Sequence, residues 1–136
     1  MRAPLHEGLL WGDLGRLDGV RLAGTKCRDC GEVSLGERNP CPNCGGVAVE
    51  TIALARDGVL WSFTVIRHRP PGDYAGPDPF QPFGLGLVEL PEGLRVVSPI
   101  AADVTSLKIG MPLKFEAYAR QAPEGERVLF HFAPRT

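Results

Sequence analysis

Hydrophobic positions change their spacing partway along the chain, and this change marks where regular β-structure is expected. After Gly58, apolar side chains alternate with polar ones, which is the pattern of a half-buried strand. The apolar residues predicted to share one face of this strand are Val59, Trp61, Phe63 and Val65. Ser62 and Thr64 are expected on the opposite face, because successive residues of a strand point to opposite sides.

Five further segments combine apolar runs with turn-forming ends, such as the Pro-Glu-Gly sequences at 91–93 and 123–125. These segments are Val47–Ala53, Phe83–Leu90, Leu94–Ile100, Leu113–Tyr118 and Val128–Phe132. Five strands after residue 57 favour a small Greek-key barrel of the OB type. A short helical turn is predicted within Asp103–Ile109, where Asp103 is placed to cap it and Pro112 prevents its continuation.

The first part of the chain has a helical spacing of leucines. The adjacent pair Leu9-Leu10 is followed by Leu14, Leu17 and Leu22 at intervals of four, three and five residues, which predicts a short amphipathic helix within residues 5–22. Four glycines interrupt this segment, and each costs about 1 kcal/mol relative to alanine inside a helix. The helix is therefore expected to depend on a partner surface or on the rest of the fold.

Composition and charge narrow the class of protein. The 136 residues suffice for one compact domain with a small satellite, and 43% hydrophobic and 23% charged residues are ordinary for a folded protein. Fifteen basic against sixteen acidic residues give a net charge of −1, which disfavours a nucleic-acid partner. No stretch approaches the ~18 apolar residues of a membrane span, and the first residues lack a signal-peptide core. We expect no membrane partner and a cytoplasmic location.

All four cysteines lie in two CxxC sequences, at Cys27–Cys30 and Cys41–Cys44, with ten residues between them. Two intervening residues let both thiolates face one ion, so four thiolates favour a tetrahedral structural zinc ribbon. A closed shell leaves no position for a reacting water, so this metal is expected to stabilise the fold. Iron would use the same sulfurs, and incomplete metal occupancy also stays open. Thioredoxin-type redox chemistry is disfavoured, because it uses a single CxxC in a βαβ unit.

No catalytic set accompanies the three histidines, which lie in different predicted elements without a GxSxG sequence. His131 is expected to be a packed or surface residue of a strand. His68 opens the proline-rich segment Arg67–Pro82 and could act as an acid or base, but we prefer a loop that docks on another protein. Gly84-Leu85-Gly86 is assigned to barrel packing, because the rest of a dinucleotide fingerprint is missing.

Five sequences together resemble a known family. They are CRDCG at 27–31, CPNCG at 41–45, GVLWSFTVIRHRPPGDYAGPDPF at 58–80, GLVELPEGLRVVSPI at 86–100 and LKIGMPLKF at 107–115. From about residue 8 to residue 134 the chain resembles the acyl-CoA-associated zinc-ribbon/OB-fold proteins, formerly a domain of unknown function. The resemblance implies a mainly β protein. Its expected parts are an N-terminal helical segment at 1–26, a rubredoxin-like four-cysteine zinc ribbon at 27–46 and a five-stranded OB-fold barrel at 47–136.

The resemblance also implies a role. Relatives of this kind are non-catalytic subunits of thiolase-fold enzymes, thiolases or thiolase-like aldolases, or they associate with hydratases, in acyl-CoA metabolism such as lipid or steroid degradation. The chain is then expected to form a hetero-oligomer, to help complete the active site of its partner and to help hold coenzyme A. It is not expected to be an enzyme on its own.

The resemblance assigns roles to individual residues. Cys27, Cys30, Cys41 and Cys44 match the ligands of one structural Zn²⁺ per chain. The expected contacts with coenzyme A are Lys26, Arg28 and Arg38, because guanidinium and ammonium groups bind phosphates well. The expected contacts with the partner enzyme are Arg67, His68, Arg69, Tyr74 and Phe80, because arginine and aromatic residues are enriched at interfaces.

Two other functions stay open. Zinc ribbons and OB barrels also occur in proteins that bind single-stranded nucleic acid. The balanced charge disfavours this class, and so does the expected burial of Trp61, Phe63 and Phe115. A stand-alone enzyme that uses His68 and Asp73 is the weaker alternative.

Overall fold

The computed structural model describes residues 2–4, 8–69 and 79–135. In these ranges the chain forms strands and two single-turn 3-10 helices, Leu17–Gly19 and Val104–Ser106. The strands are β1 (Arg2–Pro4), β2 (Leu10–Trp11), β3 (Arg21–Cys27), β4 (Val33–Leu35), β5 (Val49–Ala53), β6 (Asp57–Ile66), β7 (Phe83–Glu89), β8 (Arg95–Ile100), β9 (Pro112–Ala122) and β10 (Gly125–Pro134). None of the helices in these ranges is long and apolar enough to cross a membrane.

Strands β6 to β10 close into the predicted five-stranded barrel. Antiparallel pairs join β6 to β7, β7 to β8 and β9 to β10, and β6 also pairs with β9. The remaining contact is parallel and places Phe132 of β10 opposite Ile100 of β8. This closure is that of an OB-fold barrel, and β1 extends the sheet by pairing in parallel with β10.

The interior of the barrel is filled from all five of its strands. The fully buried residues include Leu60, Val88, Val96, Leu113, Phe115, Val128 and Phe132. The Phe115 ring stacks on Phe130 at 5.6 Å and meets the edge of Phe132 at 5.8 Å. The expectation that Phe115 belongs to the core is confirmed.

Two glycines of β7 make room for this interior. A Cβ atom at Gly84 would lie 2.5 Å from Leu107 Cδ1, and one at Gly86 would lie 2.7 Å from Leu60 Cδ1. Both distances are shorter than real carbon contacts, so larger residues would displace core side chains. The assignment of this Gly-Leu-Gly sequence to barrel packing is confirmed.

The prediction that four apolar residues of β6 share one face is only partly correct, because β6 contains a bulge. The register against β7 shifts between Leu60 and Ser62, so Trp61 is an extra residue. Phe63 packs against the core, as predicted, but Trp61 and Val59 lie on the outer face and are 46% and 43% exposed. One inserted residue reverses the side on which the following residues point. The expectation that Trp61 is a core residue is therefore wrong.

The short helical turn between β8 and β9 forms where the sequence predicts it. Asp103 Oδ1 accepts hydrogen bonds from the Thr105 amide at 2.9 Å and from the Thr105 hydroxyl at 2.8 Å. These bonds hold the pKa of Asp103 below its usual value, because they stabilise the carboxylate. Leu107 follows the turn and is buried at the end of the barrel beside Gly84.

The predicted N-terminal helix is not formed in the described part of residues 5–22. Residues 8–22 instead contain β2, one 3-10 turn and the start of β3, and residues 5–7 lie outside the described ranges. Gly8 and Gly12 have φ angles of +77° and +106°, which an α-helix does not allow. Leucines of this segment still pack against the core, so their spacing reports burial without helicity.

Strand β3 is the centre of a second, smaller sheet. It pairs in antiparallel fashion with β2, β4 and β5. Val20 and Leu22, at its start, and Leu54, after β5, belong to the same buried cluster as Leu60 and Phe132 of the barrel. The small sheet and the barrel therefore share one hydrophobic core.

Gly86→Ala is expected to destabilise the protein by about 1–3 kcal/mol, because the added methyl group overfills the barrel next to Leu60 and Ile100. The free energy of unfolding is measured by urea titration with circular dichroism. Gly19→Ala is the matched control, since no atom lies within 4 Å of its Cβ position. Equal stability of the two variants would contradict the packing described here.

Candidate metal centre and adjoining surfaces

The four cysteines converge at one point of the small sheet. Their sulfur atoms all lie within 4.8 Å of one another. The separation is 3.6 Å between Cys27 and Cys44 and 3.7 Å between Cys30 and Cys41. A tetrahedral ion with metal–sulfur bonds of about 2.3 Å requires sulfur separations of about 3.8 Å. The residues present therefore fit a four-thiolate metal site.

Two similar turns build this site. In the first, the Gly31 amide donates to the carbonyl of Cys27 at 2.9 Å, and in the second the Gly45 amide donates to the carbonyl of Cys41 at 2.9 Å. Gly31 and Gly45 have φ angles of +77° and +76°, which side chains disfavour. The glycine that directly follows each second cysteine thus allows a tight turn beneath the sulfur atoms.

Backbone and amide groups point at the sulfur atoms. The amides of Asn43 and Gly46 each lie 3.4 Å from a sulfur, Cys41 Sγ and Cys44 Sγ respectively. The side-chain amide of Asn43 donates to Cys30 Sγ at 3.6 Å. Such donors favour negatively charged sulfur, which is the form that binds metal.

The pKa values of the two exposed cysteines, Cys30 and Cys44, move in opposite directions. The hydrogen bond from the Asn43 side chain is the main cause that lowers the pKa of Cys30 to about 7. The Gly46 amide acts to lower the pKa of Cys44, but bonds to Cys27 and Cys30 outweigh it and raise that pKa to about 12. Four adjacent thiolates repel one another, and a cation bound among them removes this repulsion.

Strand β3 carries the site. Cys27 is its last residue and is buried, and it pairs with Val49 of β5. Cys41 is also buried, whereas Cys30 and Cys44 are exposed. The site therefore rests on the sheet through two of its sulfurs and faces the surface with the other two.

The residues predicted to contact coenzyme A lie around the end of this small sheet. Lys26 and Arg28 are exposed, and the Arg28 guanidinium lies 3.3 Å from the Glu50 carboxylate. The Arg38 amide donates to the buried Thr25 hydroxyl at 2.9 Å. Lys26 follows Thr25 in β3, and neighbouring residues of a strand point to opposite faces. Lys26 therefore projects from the face of β3 opposite to the one on which the Arg38 amide meets Thr25. Contact of these residues with coenzyme A stays a prediction.

Four of the five residues predicted to contact a partner are described, and they lie at one end of the barrel. Arg67, His68 and Arg69 directly follow β6 and are exposed. The Phe80 ring meets Phe83 edge-on at 6.2 Å, at the start of β7. Tyr74, like Asp73, lies outside the described residues. The role of these residues in partner binding stays a prediction.

A hollow of about 310 Å³ lies between the first 3-10 turn and the outer side of β9 and β10, and the sequence alone did not predict it. His131 Nε2 lies 2.8 Å from Glu116 Oε1 in this hollow, and the His131 ring is 5.0 Å from that of Tyr118. The hydrogen bond with His131 is the main cause that lowers the pKa of Glu116. His131 is thus a packed strand residue, as expected. The β9–β10 hairpin, with its turn at 123–124, places His131 opposite Glu116. The pairing of these two residues could therefore be found by counting outward from the turn in the sequence.

Comparison with protein families assigns both parts of the chain. Residues 21–50 match a family described as the rubredoxin-like zinc ribbon domain of ChsH2. Residues 51–117 match the C-terminal OB-fold domain of ChsH2. These matches agree with the four-cysteine site and the barrel.

Relatives of known designation cover different shares of the chain. The benzoylsuccinyl-CoA thiolase subunit BbsA of Thauera aromatica is 31% identical over 80 residues, which are 58% of this chain and 51% of that subunit. The chain thus spans about half the length of that relative. A DUF35 domain-containing scaffold protein of Methanothermobacter thermautotrophicus is 31% identical over 121 residues, 85% of this chain and 87% of its own length.

A solved structure has the same architecture. A chain of the Ltp2-ChsH2(DUF35) aldolase superimposes with a TM-score of 0.62 and 30% identity, covering 84% of each chain. The structural match and the two family matches therefore agree on both the ribbon and the barrel. The chain belongs to the ChsH2-type zinc-ribbon/OB-fold family, which includes the DUF35 domain-containing scaffold proteins.

Proposed function

We propose that this chain is a non-catalytic accessory subunit of a thiolase-fold enzyme, a thiolase or a thiolase-like aldolase, that acts on an acyl-CoA. The observation that carries the proposal is the similarity over 84% of both chains to a chain of the Ltp2-ChsH2(DUF35) aldolase. The designation of BbsA as one subunit of a thiolase supports it. A hydratase is the other partner class, because 94 residues, 68% of this chain, are 31% identical to a segment that makes up 28% of a probable enoyl-CoA hydratase alpha subunit of Thermomonospora curvata.

We propose further that the metal is zinc, with one structural Zn²⁺ per chain. Four thiolates suit zinc, and they complete its coordination so that no position is left for water or substrate. The metal would hold the two cysteine turns against β3 and so keep the ribbon rigid. Four cysteines used as metal ligands also fit a reducing, cytoplasmic location.

In this role the chain would act by binding and positioning. The basic residues Lys26, Arg28 and Arg38 lie on the ribbon, where they would contact the phosphates of coenzyme A. The loop residues Arg67, His68, Arg69, Tyr74 and Phe80 would contact the enzyme. Ordering the entrance of the partner's active site positions the acyl-CoA for reaction, and misplacement by about 1 Å can cost roughly a hundredfold in rate.

Elemental analysis of the purified full chain is expected to find about one zinc per chain and no iron. Cys41→Ser is expected to lose the zinc and to lower the unfolding temperature, because structural zinc contributes about 10–16 kcal/mol of binding free energy in small zinc sites. Inductively coupled plasma mass spectrometry measures the metal, and differential scanning calorimetry measures unfolding.

Asn43→Ala is the matched control for the metal site. It removes the hydrogen bond to Cys30 Sγ but keeps all four thiolates, so it is expected to retain the zinc. A metal-free wild-type chain whose stability equals that of Cys41→Ser would disprove the zinc site. Iron in stoichiometric amount would disprove the identity of the metal.

The accessory role predicts that acyl-CoA turnover requires two proteins. The tagged chain is purified from its native cell, proteins that resist a salt wash are identified by mass spectrometry, and the thiolase-fold protein is then produced separately. We expect no turnover by the chain alone and a rise of roughly a hundredfold when the chain is added to the partner.

Two outcomes would contradict this role. Full activity of the thiolase-fold protein without the chain would show that the subunit is not required. Turnover by the purified chain alone that His68→Ala abolishes would instead support a stand-alone enzyme.

A further inference from the structure

The outer side of the barrel carries a mostly apolar surface on β6, β7 and β8, in which Ser62 and Thr64 of β6 are the polar residues paired with Leu87 and Leu85. Register pairs place Leu87 opposite Val97 and Leu85 opposite Pro99, with all four side chains directed outward because their neighbours fill the core. We name this surface the outer apolar face and define it as Val59, Trp61, Leu85, Leu87, Val97 and Pro99. It contains half of the six large hydrophobic residues that are exposed in the described ranges.

The bulge in β6 creates the centre of this face. Trp61 is the inserted residue and projects outward, where the Arg95 guanidinium covers its ring at 3.9 Å from the ring centroid. Arg95 Nε also lies 3.2 Å from Glu89 Oε2. Arg95, which borders the face, is therefore paired with its neighbour Glu89, and the six residues of the face are uncharged.

The face continues toward the segment that sequence analysis selected for docking. Ile66 and Phe83 pair at the end of β6 and β7, and Phe80 contacts Phe83. Arg67 and His68 follow directly and are exposed. In the described part of this flank, an apolar surface thus passes into a basic rim.

The charge pattern selects the kind of occupant. Nucleic acid needs several free cations to neutralise phosphates, whereas Arg95 is already paired with Glu89. A protein surface with an apolar centre and carboxylates at one side complements both the uncharged face and the basic rim. Tryptophan and arginine are also the residue types that dominate the energetics of protein interfaces.

The face is smaller than one side of a stable protein interface. Three strands about 4.8 Å apart and a rise of about 3.3 Å per residue give a face of roughly 300 Å². Each side of a stable complex contributes about 800 Å². A partner in a stable complex must therefore cover further surface, and the flank at Arg67 and Phe80 adjoins the face.

We propose that the outer apolar face, centred on Trp61 and Val97, is the docking surface for the thiolase-fold partner, which meets it with an apolar patch edged by carboxylates. This inference rests on the proposed function and adds the place of contact. Docking removes the face from water and sets the barrel in a fixed position against the enzyme.

Val97→Glu tests this surface. Val97 is 60% exposed, so glutamate does not enter the core, but it places a charge in the middle of the interface. With the thiolase-fold protein recovered above as the titrant, isothermal titration calorimetry is expected to show binding weakened by more than about tenfold. Val47→Glu is the matched control, since Val47 is 74% exposed on the ribbon, outside the barrel strands that form the face, and it is expected to bind as the wild type does.

A spectroscopic probe reports contact directly. The chain has two tryptophans, so Trp11→Phe leaves Trp61 as the single reporter. With fluorotryptophan incorporated into this variant, the fluorine resonance of Trp61 is expected to shift or broaden when the unlabelled partner is added. Circular dichroism and zinc content are measured on each variant to show that it is folded.

The outcomes separate the inference from the proposed function. If no thiolase-fold protein binds the wild type, both are overturned. If the partner binds Val97→Glu and the wild type equally and the Trp61 resonance does not change, only the docking surface is overturned. A wild-type dimer that Val97→Glu dissociates, with partner binding unchanged, assigns the face to a second copy. A Trp61 response to an oligodeoxythymidylate alone assigns it to nucleic acid.

Discussion

Strand β3 connects the metal centre to the barrel, and the rest of the structure depends on this connection. Leu22, near the start of the strand, lies in the common hydrophobic core. Cys27, the last residue of the strand, is one of the four cysteines that converge at the candidate metal site. The segment 28–46 carries the other three cysteines and buries little apolar surface. Cys41 is the single residue of this segment that is buried. A segment with so small a core needs a metal or a cross-link to hold one conformation. A metal held by the four cysteines would therefore stabilise the ribbon, and β3 joins the ribbon to the barrel.

The barrel, in contrast, depends on packing. Glycines at 84 and 86 let β7 lie close to Leu60 and Leu107, and three phenylalanine rings fill the interior between β9 and β10. The same strand, β6, supplies Leu60 to the interior and Trp61 to the surface, because the bulge adds one residue. One local irregularity thus produces both a closed core and an outward tryptophan, which links the fold to the surface that we assign to docking.

Sequence reasoning predicted the barrel and the metal site because their signals are local. Strand alternation, turn residues, the Asp103 cap and the CxxC spacing each depend on residues a few positions apart. The errors arose where long-range structure decides. Leucine spacing before residue 22 resembled a helix, yet Gly8 and Gly12 adopt backbone angles outside it, and the leucines are held by the core. The exposure of Trp61 depends on the register between β6 and β7, which alternation alone does not reveal. The hollow around His131 requires the first 3-10 turn to fold across β9, a contact between distant segments.

The central claim is that this chain is a metal-stabilised subunit that works only in association with an enzyme. Native mass spectrometry of the complex purified from its own cell tests the claim most directly, because it measures metal and partner together. The account predicts a hetero-oligomer that releases, on gentle activation, the 14.7 kDa chain with one bound zinc and a thiolase-fold subunit. A species with the mass of the chain alone or of its multiples, without zinc, would contradict it.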